Sequence, residues 1–348
     1  GTQELLGVAA AHAAGVDFNF RISLLHFSWP RFYNQVQSWM VPALAALPLL
    51  FKHSTLARVL CVLVLALQWY IILMTGARGS FIALTAAMVF AVLFLPVVRR
   101  PLIGWQLAGL VMGAALFILV LHGFEAGKID ATEPGTAAPS APAAKPPPTP
   151  GLYGNENETT SGFLAQSVGR PLLDPMGRSW MWKVTLRDAG QHPLLGIGPM
   201  NYVCTNSEPI GHPHNFPLQL AAEWGIPVAV TVSILCMALL WRSAVPIRQM
   251  ASAEREDLEL SGLLLTGVLA AALHACVSGV MVMPASQTAG VLVGGLLLGL
   301  APTERERKPR VKPLWPALAG LVLCTALLVL GVQELSTLAQ RSAQLKPG

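Results

Sequence analysis

Charge is what this chain has least of. Asp, Glu, Lys and Arg make up 12% of its 348 residues against 53% hydrophobic ones, and mean hydropathy is +0.56. That is about half the usual charged share of a globular protein. A soluble domain so poor in charge could not cover its own surface, so an ordinary cytosolic enzyme is excluded. The apolar content excludes a disordered chain. Cysteine is scarce in any organised form. Cys61, Cys236, Cys276 and Cys324 sit inside apolar runs, Cys204 stands alone in a long polar stretch, and no CxxC occurs. A disulfide-stapled secreted domain, a zinc ribbon and a redox pair are therefore unsupported. No pair of Asp or Glu stands where glycoside hydrolysis would need it. The net charge of +5 is scattered in short pieces between apolar runs rather than gathered on a basic face with aromatics between, so no nucleic-acid partner is expected. The first residue is Gly, and no signal-peptide pattern opens the chain; we expect further sequence, with more spans, upstream.

What is present are long apolar runs. At about 20 residues per crossing, the candidates lie near 36–51, 57–75, 80–98, 102–122, 216–241, 260–282, 286–300 and 314–335. This predicts an all-α, polytopic helical membrane protein with about eight spans. Lys52 and Arg58, Arg99 and Arg100, then Arg242, Arg248 and Arg255, and finally Arg305, Arg307, Lys308, Arg310 and Lys312 all fall in alternate connections. The connections between them carry only Arg78, or no basic residue at all around 283–287. By the positive-inside rule the basic loops are cytoplasmic, and residues 123–215 form one large loop on the other side. Three regions follow: membrane helices over 1–122, the outer loop over 123–215, and membrane helices over 216–348. Within the loop, 131–150 reads ATEPGTAAPSAPAAKPPPTP, an Ala/Pro spacer unable to bury a core. Residues 160–215 regain Trp, Arg, His and paired Gly, and we expect short helices and the active site there.

Three polar clusters fall on that one outer side. In Thr75-Gly76-Ala77-Arg78-Gly79-Ser80, Gly76 can end one helix and Gly79-Ser80 begin the next, leaving Arg78 at a helix N-terminus. Free N–H groups, a positive dipole end and a guanidinium suit a phosphate. The bland reading is an Arg that snorkels to the interface. In the second cluster, residues 177–188, Ser179 is expected to cap a short helix just after Arg178, with Trp180, Met181 and Val184 on one face. Arg178 is again placed for an anion, and the alternative is a plain interfacial anchor. His192-Pro193-Leu194-Leu195-Gly196-Ile197-Gly198-Pro199 then reads as a tight turn. The third cluster is His212-Pro213-His214-Asn215-Phe216-Pro217. Asn215 is a good N-cap and Pro217 suits a first turn. His214 would stand just outside a helix N-terminus, whose dipole disfavours the imidazolium and leaves a neutral base. A structural His is the alternative. A metal site is the weaker reading, because His-x-His lacks a third ligand at a recognisable spacing. His53, His122 and His274 read as packing or interface histidines. Arg21, Arg31, Asn34, Arg170, His212 and Glu223 are secondary polar residues.

In order, spacing and common side, the 75–80 element, the Arg178…Trp182…Pro193…Gly196-x-Gly198 segment and the His-x-His-Asn element with its following helix and Gly225 resemble the O-antigen ligase family. The likeness runs from about Arg21 to Leu300. It departs at Val228, where a second Gly is frequent, and in the Pro-rich tract. The resemblance implies a GT-C-like membrane fold in the bacterial inner membrane, with the active site on the periplasmic side. It implies a donor of O-antigen on undecaprenyl diphosphate and an acceptor hydroxyl on the lipid A core oligosaccharide, with no cofactor and no metal. By the same likeness His214 is the catalytic base, and Arg78 and Arg178 bind the diphosphate. An O-antigen polymerase and an O-linked protein oligosaccharyltransferase share that chemistry and differ in acceptor. A lipid or polysaccharide transporter is the rival from another class, although it would carry ionisable residues near the bilayer midplane.

Overall fold

The structure is a computed structural model and describes residues 30–51, 53–130, 178–205, 211–249 and 255–300. The Pro/Ala tract, the crossing expected at 314–335, and Arg21 and Arg170 lie outside the described residues. Among the described residues every regular element is helical: α1 Pro30–Leu44, α2 Leu47–Leu50, α3 Thr55–Met74, α4 Arg78–Phe94, α5 Leu107–Asp130, α6 Arg178–Gln191, α7 Tyr202–Thr205, α8 Phe216–Trp224, α9 Ile226–Gln249, α10 Arg255–Ala275 and α11 Pro284–Leu300. Among the described residues, four stretches are long and apolar enough to cross a bilayer: Thr55–Met74, Pro96–Val120, Ile226–Arg248 and Leu258–Ala275. The shorter apolar helices α4 and α11 correspond to the expected runs at 80–98 and 286–300.

Local chemistry accounts for the breaks. Ser54 caps α3, its hydroxyl accepting from the Ala57 N–H at 3.2 Å. Gly76, with φ +56°, stops it one residue past the C-cap. The expected division between 98 and 102 is subtler. A 3₁₀ turn at Pro96–Val98, an α turn at Arg99–Pro101 and a π turn at Leu102–Gln106 lead into α5 without a loop. The run expected as one crossing at 216–241 is two helices, because Gly225 has φ +89° and ends α8 before α9 begins.

Helix α10 is the centre of the bundle, packing on α1, α4, α9 and α11. Pairing of α3 with α5 is tighter than aliphatic side chains would permit. A Cβ on Gly109 or Gly113 would strike Leu65, or Ala66 and Trp69. These two glycines form a GxxxG step, the spacing that lets membrane helices approach backbone to backbone. Near the start of α10, Gly262 lies under Val97, Val98 and Ile247, close to Arg99, Arg100 and Arg248. At its other end, His274 and Val277 lie against Gly79, beside Arg78. The bundle therefore has a basic end and, opposite, the end that carries the candidate site.

The short first crossing expected at 36–51 takes a different form. Helix α1 starts at Pro30, six residues earlier than that reading, and carries a buried polar side: Asn34, Gln35, Gln37 and Ser38 are all almost wholly enclosed. Gln37 and Ser38 are tied to the neighbouring helices. Gln37 Nε2 donates to the Gln68 carbonyl at 3.0 Å and to Gln68 Oε1 at 2.9 Å, and Tyr33 Oη donates to Gln68 Oε1 at 3.0 Å. Gln106, in the π turn, donates to the Val41 carbonyl and accepts from Trp69 Nε1 at 2.9 Å. A hydrogen bond that bridges two helices spares each polar group its desolvation penalty.

Candidate functional site

Arg78 is the first residue of α4, as the helix punctuation at 75–80 predicts. The turn before it is held by bonds from Thr75 N–H to Ile71 carbonyl at 2.9 Å and from Gly76 N–H to Leu73 carbonyl at 3.1 Å. Two residues on, Ser80 is buried in the first turn of α4 and lies with its Oγ 3.3 Å from His274 Nε2. On the far side of that imidazole, Nδ1 is 2.7 Å from Ser38 Oγ. The Ser38 hydroxyl itself donates to the Asn34 carbonyl at 3.0 Å. With its proton committed there, Ser38 accepts from Nδ1–H, which leaves Nε2 to accept from the Ser80 hydroxyl. The bond pattern thus fits the neutral imidazole with its proton on Nδ1.

Arg178 is the first described residue of α6, and its charge is felt at His274. Two details of the sequence reading change here. The described helix begins at Arg178, so Ser179 is inside its first turn rather than at the cap. The buried face is Met181, Thr185, Asp188 and Ala189, at helical spacing, whereas Trp180 is exposed and does not share it. That face receives Tyr202 of α7. Its Oη accepts from Thr185 Oγ1 at 3.1 Å and donates to the Met181 carbonyl at 3.4 Å. One turn after Arg178, Trp182 Nε1 donates to the Pro213 carbonyl at 3.0 Å, one residue before His214.

The approach to α8 follows the expected capping. Asn215 is extended, with φ −150° and ψ 104°, and its Oδ1 accepts from the Leu218 N–H at 3.0 Å. His214 has φ +54°, in the left-handed region that a non-glycine residue rarely adopts. Its backbone N–H donates to His212 Nδ1 at 3.3 Å, and the two rings meet edge to face with centroids 4.2 Å apart. Burial holds His212 below the ordinary histidine pKa near 6.5, outweighing a backbone hydrogen bond that acts the other way. The other edge of the His212 ring rests on Gly279, where a Cβ would come within 2.7 Å of Cε1 and Nε2.

The turn after α6 fixes α8 from its far end. Ile197 and Gly198 donate to the Ala222 and Glu223 carbonyls at 2.8 and 3.0 Å, and Ile226 N–H donates to the Pro193 carbonyl at 2.8 Å. Gly196, with φ +69°, lies flush against those carbonyls, and Gly225 against Leu194, leaving no room for a side chain at either. The orphan carbonyls at the end of α8 are therefore satisfied by a loop, not by water. Glu223 is buried, its Oε1 3.4 Å from Gln219 Nε2.

Hydrogen bonds from Ser80 to His274 and from Trp182 to Pro213, with the charge of Arg178 felt at His274, link the neighbourhoods of Arg78, Arg178 and His214. Among the described residues no three of His, Cys, Asp or Glu cluster as metal ligands would. His274 is buried, in keeping with the expected packing or interface position. The structure makes it the meeting point of α1, α4 and α10. An ionisable residue inside an apolar run was the available signal.

A chain that is all-helical among the described residues, with several helices long and apolar enough to cross a bilayer, is a polytopic membrane protein. Residues 61–233 match the family model described as O-antigen ligase, a stretch that contains Arg78, Arg178 and His214. The chain belongs to the O-antigen ligase family, a group of membrane glycosyltransferases of the ligase and polymerase type. Comparison with the curated proteins and with the solved structures found no match.

Proposed function

We propose that this protein transfers O-antigen glycan from undecaprenyl diphosphate to a sugar hydroxyl of the lipid A core, at the periplasmic face of the bacterial inner membrane. The observation that supports this reading is that one buried histidine, His274, bonds Ser80 in the helix turn opened by Arg78 and feels the charge of Arg178, while Trp182, one turn after Arg178, bonds the carbonyl next to His214. The acceptor hydroxyl attacks the anomeric carbon as the bond to the diphosphate oxygen breaks. Undecaprenyl diphosphate departs with the electron pair, and the hydroxyl proton passes to His214 and on to solvent. Direct displacement inverts the anomeric centre. The diphosphate is already a good leaving group, so what needs stabilising is the negative charge growing on it. Two guanidiniums and two helix N-termini do this where water is partly excluded. The left-handed backbone at His214 turns that residue out of the path of α8, and strain of this kind is kept where surrounding structure imposes it.

Reconstitution with purified lipid-linked glycan and lipid A core tests the assignment. Wild-type protein transfers glycan and continues to do so with chelator present. His214→Ala lowers the rate by roughly 10²–10⁴-fold, the usual worth of a general base, while still inserting as a monodisperse species. A His214→Ala protein with undiminished transfer, or transfer that stops on chelation, refutes the mechanism. Glycan appearing on a second lipid-linked glycan, or on protein Ser or Thr, refutes the acceptor.

A further inference from the structure

The end of α10 and the turn after it lie outside the stretch matched by the family, yet residues beside Arg78 and beside His214 both pack on them. His274 bonds Ser80 of α4 through Nε2 and Ser38 of α1 through Nδ1, and it feels the Arg178 charge at the start of α6. Three residues on, Val277 lies against Gly79. Gln35 Nε2 reaches Ser278 Oγ at 3.4 Å, one helical turn before Ser38 on α1. Gly279 then supports the ring of His212, whose Nδ1 accepts from the backbone of His214. One short segment thus braces both the arginine half of the site and the histidine half, and α1 holds that segment at two points.

His274 has the geometry of an adjustable strut rather than a filler. It is almost wholly enclosed by protein, where an apolar side chain would pack without needing partners. Instead it uses both ring nitrogens, in opposite directions, to join a helix that carries no site arginine to the first turn of one that does. The Ser80 bond fixes where the α4 N-terminus lies, and with it the free N–H groups and Arg78. The nearby guanidinium of Arg178 meets an imidazole that adds no competing positive charge in the neutral form.

We propose that His274 is a positioning residue for the diphosphate site: through Ser80 it sets the α4 N-terminus and Arg78 at the spacing from Arg178 that a diphosphate requires. This rests on the assignment of Arg78 and Arg178 to the diphosphate made above. It touches no reacting atom and takes no proton in the reaction.

The bonding pattern supplies variants that separate positioning from mere support. Asn is short, so His274→Asn keeps a donor toward Ser38 but cannot reach Ser80. His274→Gln is longer and can accept from Ser80. The measurement is binding of farnesyl diphosphate, a short isoprenoid diphosphate, to the full chain in detergent, beside the melting temperature without ligand. His274→Asn is expected to bind about tenfold more weakly, the effect of one lost positioned contact, while melting close to wild type. His274→Gln recovers most of the affinity. Ser80→Ala weakens binding similarly, and adding it to His274→Asn weakens it no further, because both break the same link. Unchanged affinity in His274→Asn, or a double variant that loses the product of the two single losses, overturns the proposal. So does a lowered melting temperature with unaltered affinity, the signature of a structural role alone. Wild-type protein that binds no farnesyl diphosphate overturns it together with the assignment of the arginines. Failure of the function reading is visible separately: a wild type that binds the diphosphate and responds to these substitutions, yet transfers no glycan, sinks the glycosyltransferase assignment and leaves the strut intact.

Discussion

Helices α9 and α10 are consecutive, similar in length and both apolar, yet they occupy opposite situations. The α9 span, Ile226–Arg248, has the higher hydropathy, 1.9 against 1.6 for Leu258–Ala275 in α10. It is also the less enclosed: 11% of its apolar window is buried, against 72% for α10. In water the order would be reversed. In a bilayer the lipid tails are as apolar as leucine, so hydrophobicity gives a side chain no reason to prefer the protein interior. What selects the interior is closeness and hydrogen bonding. Helix α10 turns Ser261, Thr266, Ala270, Ala271 and His274 inward, with Gly262 and Gly267 pressed against neighbours. Helix α9 turns Ile234, Leu235, Met237, Leu239 and Trp241 outward.

The contrast is broken most severely at Gly267. A Cβ there would meet the Trp39 carbonyl of α1, and backbone cannot yield as a side-chain tip can. Gly267→Val should separate α1 from α10 and destabilise by about 3 kcal/mol or more, at or above the upper end of ordinary overpacking. Detergent-solubilised protein would aggregate or melt far below wild type in a thermal scan. Gly295→Val, on α11 with nothing within 4 Å of its virtual Cβ, is the control and should leave the melting temperature near wild type. Equal behaviour of the two variants would mean that α1 and α10 are not in this contact.

Gly225 sharpens the comparison at the point where α8 gives way to α9. Its φ of +89° and its contact with Leu194 both exclude a side chain. Gly225→Ala should cost about 1–3 kcal/mol from backbone conformation alone. The site would feel it too, because α8 is held by the 193–198 turn and His214 stands at its start. We expect glycan transfer to fall further than thermal stability does. A variant that loses stability but transfers at the wild-type rate would show that the far end of α8 does not position His214.

How much of this was legible beforehand depends on which force decided each feature. Helix punctuation is local, and it was readable: Gly76, Asn215 and Pro217 do what their backbone preferences dictate. The end of the bundle where Arg99, Arg100 and Arg248 come close was readable because charge is expensive in lipid. Gly225 was visible as a residue but not as a break, since a single Gly inside an apolar run is compatible with a continuous helix. The inward polar side of α1 was hidden for a stronger reason. Asn34, Gln35, Gln37 and Ser38 lower the hydropathy that a span search relies on, and only their partners explain why they are enclosed: Gln68 of α3 for Gln37, His274 of α10 for Ser38, Ser278 just past α10 for Gln35, and Gln37 itself for Asn34. What His274 packs against was hidden for the same reason. Its partners, Ser38 and Ser80, are more than 190 residues away along the chain.

A smaller effect separates the imidazole outside the helices from the one inside α10. His212 is held below the ordinary value near 6.5 by burial, so its unfolded form binds a proton more readily than its folded form. Stability from this group is therefore fully present above pH 6.5 and falls as pH drops from there toward the folded pKa. Thermal scans between pH 7.5 and 5 should show a decline that His212→Gln reduces, since Gln does not titrate. An identical decline in both proteins would assign the pH dependence elsewhere.

The smallest expected effect lies on α9 and is the one that tests the lipid argument directly. Leu235 is exposed on a helix whose apolar face meets no described neighbour along most of its length. In water, removing a leucine side chain from a packed core costs about 2–5 kcal/mol. Facing lipid, the methyl groups have equivalent partners whether the protein is folded or not, and Leu235→Ala should change stability by no more than about 0.5 kcal/mol, the range of surface substitutions. Leu263→Ala, in the enclosed helix α10, leaves a cavity and should fall in the higher range. If the two substitutions were equally damaging, α9 would be covered by protein in the working state, and the rule that closeness rather than hydropathy chooses the interior would not apply to this pair of helices.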